Sequence, residues 1–180
     1  MRGFLYGIVF TIVVLLAGGF FYLKKGYMNT QADIPPGAIE RKLAMGAVDA
    51  STERHAPEAK NPIAATEQNL AEGARLYLNH CAGCHGIPSN RESQFGKSFN
   101  PPVPQFFSDA PDMPENENFY ITKHGIRFSG MPAWGTTLNE TQIWMLVTFL
   151  SNVDKLSPSA LKELEPTGTA PAAPAAPAAR

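Results

Sequence analysis

The stretch NHCAGCHG, residues 79–86, holds both cysteines of the chain, two residues apart, with a histidine directly behind them. Three chemistries use such a pair. A redox-active dithiol places C-x-x-C at the start of a helix beside a βαβ unit. A structural zinc site needs four ligands, ordinarily drawn from two separate knuckles. A covalent haem anchor uses C-x-x-C-H, in which two thiols a turn apart reach the two vinyl groups on one porphyrin edge and the next residue, a histidine, falls under the iron. The elements around Cys81 and Cys84 decide among them.

The segment TEQNLAEGARLYLNH predicts a helix, with Thr66 as N-cap, Glu67 in the first turn, and Leu70, Ala74, Tyr77 and Leu78 on one stripe. This helix runs into the cysteines rather than starting at them. A second helix is predicted at PENENFYITKH, with Glu115 and Glu117 in its first turn and Gly125 as its stop. The third, in TLNETQIWMLVTFLSN, has Asn139 as N-cap, Gln142 three residues on, and a Leu138–Ile143 staple. Ile143, Leu146, Val147 and Leu150 then form its core face. No segment alternates as a strand does, so the dithiol reading lacks its βαβ unit. The zinc reading lacks a second C-x-x-C, and His80 and His85 lie too close together for two knuckles. Haem c on Cys81 and Cys84, with His85 as an axial ligand, is the favoured reading. It also accounts for the loops. Three helices leave about half of the domain irregular, and loops that long usually serve function; a large apolar group would give them something to pack on.

The iron has a second axial position, and Met113, Met131, Met145 and His124 are the downstream candidates. Met145 lies mid-helix between Trp144 and Leu146, where core packing explains it. Met113 is 28 residues beyond His85, immediately ahead of a helix. Met131 is 46 residues beyond, in the irregular GMPAWG, where Gly130 permits close backbone approach and Pro132 stiffens the loop. Met131 is the favoured ligand, with Met113 and His124 as alternatives. His124 also fits as a surface residue at a helix C-terminus. With both axial positions filled, and methionine raising the potential, such a site carries single electrons rather than catalysing. Trp134 and Arg127 flank the loop and could hydrogen-bond haem propionates. In the run NPPVP, Pro101 and Pro102 are candidates to offer a carbonyl to the His85 Nδ1–H.

The rest of the chain organises around this domain. Phe4 to Leu23 is an uncharged run of 20 residues, about 30 Å of helix and long enough to span a bilayer. Aromatics cluster at both of its ends, and FFYLKKG follows where a cleaved signal peptide would show small residues. Residues 1–25 therefore read as a transmembrane anchor, 26–65 as a linker with a short helix around Ile39, Leu43 and Ala47, 66–165 as the haem domain, and 166–180 as a disordered Pro/Ala tail. A flexible linker of this length would have an r.m.s. span of roughly 35 Å. The chain has a net charge of −1 and no basic run longer than two residues, which argues against nucleic-acid binding. Residues 66–165 carry 7 basic and 11 acidic side chains, a net of −4 that would steer the domain towards basic docking surfaces.

GARLYLNHCAGCHG, KHGIRFSGMPAWG and QIWMLVTFL together resemble a class I cytochrome c of the membrane-anchored bacterial monohaem type, over roughly residues 66–152. The resemblance implies an all-α cytochrome c fold, with three main helices and long loops around one covalent haem. It also implies that the first helix crosses the last near Gly73, with Tyr77 packed against the Trp144/Phe149 region. Cys81 and Cys84 would carry haem c, with His85 proximal and Met131 distal. GIPSNRESQFG departs from the usual Gly-rich, acidic loop after the haem site. Bacterial haem c is attached outside the cytoplasmic membrane, so the domain is expected on the periplasmic side of a single-pass anchor. The leading expectation is an electron carrier of the respiratory chain, passing electrons from a quinol-oxidising complex to a terminal oxidase or reductase and not itself an enzyme. A fixed electron-transfer subunit of a larger membrane oxidoreductase is the second reading, and a haem gas sensor or peroxidase the third.

Overall fold

The computed structural model describes residues 2–165, and the Pro/Ala tail expected over 166–180 lies outside the described residues. The chain divides into two compact units, one ending at Gln31 and one beginning at Ala32. The first unit is α1 (Arg2–Lys24), whose Thr11 hydroxyl donates back to the Gly7 carbonyl. Its large apolar side chains are exposed along its length, and it is long and apolar enough to cross a membrane.

The second unit opens with α2 (Ala38–His55), an 18-residue helix that continues well past the Ile39–Ala47 stretch expected from the sequence. Its C-terminal half is held against the domain. Thr52 is buried, the His55 ring stacks at 6.1 Å on Tyr120, and the Asn116 side chain donates to the Pro57 carbonyl. Its last turns, DASTERH, carry no large apolar residue, so no stripe marks this half in the sequence. Ile39 and Leu43, on the opposite side of the helix from Thr52, stay exposed.

The domain itself is built from α3 (Glu67–His80), the one-turn α4 (Ala82–His85) and α5 (Gln94–Lys97), α6 (Glu115–His124), α7 (Glu140–Leu150) and α8 (Pro158–Glu163). Among the described residues there is no strand, only an isolated bridge between Ile87 and Asn90. The caps are those the sequence specifies. Thr66 accepts from the Asn69 N–H at 3.2 Å, Asn139 and Gln142 close a reciprocal capping box, and α6 stops at Gly125 with φ 67°.

The core is the crossing of α3 on α7. A Cβ on Gly73 would fall 2.7 Å from both the Met145 carbonyl oxygen and the Phe149 Cβ, so only glycine lets the helices approach this closely. One turn on, the rings of Tyr77 and Phe149 lie 5.1 Å apart with both side chains fully buried, each contributing about 1.5–3 kcal/mol of burial. On the other side of α7, Trp144 stacks on Phe119 of α6 at 4.0 Å. The Asn61 side chain donates to the Thr148 hydroxyl at 2.9 Å, pinning the approach to α3 onto α7. No helix is predicted where α8 lies; it packs against α3 and buries Ala160, with Leu164 buried at its C-cap.

Candidate haem site

The turn that carries the cysteines is a continuation of α3. The Cys81 N–H donates to the Tyr77 carbonyl, and the His85 N–H to the Cys81 carbonyl at 2.9 Å, so both thiols and the imidazole issue from one helical turn. Gly86 then breaks the helix with φ 82°, a conformation that favours glycine. Its carbonyl accepts the buried Tyr77 hydroxyl at 2.8 Å, tying the end of the turn to the α3–α7 core.

His85 is buried, and its Nδ1 lies 2.8 Å from the Pro104 carbonyl oxygen. A carbonyl only accepts, so Nδ1 carries the proton. Burial lowers the pKa of His85, against the opposing pull of that hydrogen bond, and leaves a neutral ring with the Nε2 lone pair free for a metal. Phe106 stacks on the ring at 4.3 Å and donates its N–H to the His85 carbonyl.

Pro104 thus does what Pro101 or Pro102 was expected to do. The Val103 N–H is fixed on the Gly96 carbonyl and the Val103 carbonyl is taken by the Gln105 side chain, so the chain is pinned one residue before Pro104. Pro101 and Pro102 lie ahead of the pin and are exposed. The accepting carbonyl comes from the run NPPVP, but from its last proline.

Both cysteines are free thiols. Burial, reinforced by Cys84 next to it, pushes the Cys81 thiol up to about 12, and burial also raises Cys84. A thiolate redox pair works through a lowered thiol pKa, which this burial opposes. Among the described residues no cluster of three histidine, cysteine or acidic side chains could hold a metal ion. Two uncharged thiols on one turn, with a neutral imidazole behind them presenting Nε2, are the donor set that covalent haem requires, and the residues fit that group.

The Met131 loop is built independently. Gly125, at φ 67°, lets the chain turn back so that the Ile126 N–H reaches the Met131 carbonyl at 3.1 Å, while the Met131 N–H donates to the Ser129 hydroxyl. The loop meets the haem-motif side at two places. A Cβ on Gly130 would fall 2.4 Å from the Phe99 ring, and the Trp134 ring lies 5.1 Å from His80. Met131 and Trp134 are half-buried, and Arg127 is exposed with no carboxylate partner among the described residues. Of the alternative ligands, Met113 accepts a hydrogen bond from the Asn118 side chain through its carbonyl, His124 is exposed beside Tyr120, and the Met145 backbone lies against Gly73. Gln105 carries no signal in the sequence, because its partners Cys84, Ser93 and Val103 come from separate segments.

The family model described as cytochrome C oxidase, cbb3-type, subunit III, matches residues 68–150, a little under half of the chain. No curated protein matches it significantly. The matched span runs from α3 through the cysteine turn and the Met131 loop to the end of α7 and coincides with the helical frame above, so residues 68–150 are a c-type cytochrome domain.

Proposed function

We propose that the chain is a membrane-anchored one-electron carrier whose haem c is attached through Cys81 and Cys84 and ligated by His85 and Met131. The observation that carries this reading is the commitment of His85 Nδ1 to the Pro104 carbonyl at 2.8 Å, which reserves Nε2 for iron directly behind two unpaired thiols. Haem bound there supplies a one-electron ferric/ferrous couple. The protein fixes the tautomer and orientation of His85, covers its ring with Phe106, and presents Met131 on a loop stiffened by its own hydrogen bonds. Arg127 and Trp134 are the candidate propionate partners. The anchor is α1, with the haem domain on the periplasmic side.

The test is exposure of the reduced protein to carbon monoxide. Two filled axial positions predict slow or no binding, and rapid binding by the native protein overturns the His85/Met131 assignment.

A fixed place within a membrane oxidoreductase, in preference to a long-range shuttle, is favoured by α2. Because that helix is held to the domain, only residues 25–37 remain between α1 and α2, and 13 residues have an r.m.s. span of about 20 Å. The partner would be a quinol-oxidising complex or a terminal oxidase or reductase. Co-purification in gentle detergent supports the fixed role; a carrier isolated alone contradicts it.

A further inference from the structure

The side chain of Gln105 touches none of the sulfur or nitrogen atoms of the site, yet it joins the segments that aim them. Its Oε1 accepts the Ser93 N–H at 2.6 Å, and its Nε2 donates to the Val103 carbonyl at 2.8 Å and to the Cys84 carbonyl at 3.0 Å. Both amide hydrogens and one oxygen lone pair are therefore committed, which holds the side chain in a single rotamer. One partner precedes Pro104 by a residue, and another precedes His85 by a residue. The distance between the Pro104 carbonyl and His85 Nδ1 is thus spanned by one amide group. Gly96 lets this happen, since a Cβ there would fall 2.0 Å from the Cys84 carbonyl oxygen and 3.0 Å from Gln105 Nε2.

We infer that Gln105 is a positioning residue that holds the Pro104 carbonyl on His85 and, through that hydrogen bond, sets the reduction potential of the site. The inference rests on the haem reading given above. A carbonyl accepting the Nδ1 proton makes the imidazole a stronger donor at Nε2, and a stronger donor favours the ferric over the ferrous state. Releasing the clamp lets Pro104 drift, weakens the donor and raises the potential. The alternative is that Gln105 only staples loops together, in which case its loss costs stability and leaves the potential alone.

Potentiometric titration of the full-length, detergent-solubilised holoprotein separates the two. Gln105→Leu keeps the side-chain bulk and removes all three hydrogen bonds; the expected result is a ferric/ferrous equilibrium shifted about tenfold towards ferrous, a rise of about 59 mV for one electron. Ser93→Ala is the structural control. It loses the hydroxyl bonds to Gly83 and Gly96 but keeps the backbone N–H that Gln105 binds, so it is expected to melt earlier at an unchanged potential. Should Gln105→Leu not mature, Gln105→Asn decides: its amide is one methylene too short to reach Ser93, Val103 and Cys84 together, and a rise is again expected. An unshifted potential in the Gln105 variant measured, or an equal rise in Ser93→Ala, overturns the inference. A wild-type protein without the haem c spectrum would instead sink the haem reading itself, so the two failures are distinct.

Discussion

The Gly73→Ala substitution tests the α3–α7 crossing that frames the site. The added methyl would stand 2.7 Å from the Met145 carbonyl oxygen and 2.7 Å from the Phe149 Cβ, whereas carbon atoms pack comfortably at about 3.5–4.0 Å. Neither obstacle is the far end of a flexible side chain, so the helices must part by about 1 Å. Overpacking of this kind costs about 1–3 kcal/mol, partly offset by the gain of about 1 kcal/mol from replacing glycine by alanine in a helix. A net loss of up to about 2 kcal/mol lowers the Tm of a domain of this size by up to about 15 °C. The assay is thermal unfolding of the haem-loaded protein followed by far-UV circular dichroism. Gly46→Ala is the paired control, because a Cβ there meets nothing within 4 Å; it gains the propensity term alone and should melt no lower than wild type. A Gly73→Ala protein that melts above the wild-type temperature would refute the close crossing.

Three further outcomes follow from the same structure. Tyr77→Phe leaves the buried Gly86 carbonyl without its 2.8 Å donor and should lose about 1–3 kcal/mol in guanidinium unfolding. Asn139→Ala opens the capping box of α7 and should cost about 0.5–2 kcal/mol by the same measurement. Glu140 is held below the ordinary carboxylate value by the hydrogen bond from Lys123, so its contribution is present above about pH 4.5 and is lost as the pH falls through the lowered native value. Glu140→Gln should flatten that part of the acid-unfolding profile, and added salt should shrink the difference, since the pair is exposed.

Local signals made most of the frame legible in the sequence. The Thr66 cap, the Asn139–Gln142 box and the Gly125 stop lie within one turn of the helices they bound, and each is found where the residues indicate. The Gly73 crossing and the Tyr77–Phe149 contact came with the family resemblance. What stayed hidden depends on contacts between distant segments. The α8 helix buries only Ala160, with Leu164 at its C-cap, too little for a stripe. The last turns of α2 are held by Thr52 and by a His55–Tyr120 stack that joins residues far apart in the chain. At the site, the run NPPVP pointed to the right segment, but which carbonyl reaches His85 is set by the Gln105 side chain and the Gly96 carbonyl. No periodicity encodes that choice.

The ligand set is the central claim, and the red-region sulfur-to-iron charge-transfer band of the ferric protein tests it most directly. Met131→Ala should abolish the band and open the iron to carbon monoxide when reduced, while Met113→Ala, altered at a residue whose carbonyl accepts from the Asn118 side chain, should keep both properties of the wild type. Persistence of the band in Met131→Ala, or its loss in Met113→Ala alone, would contradict the account.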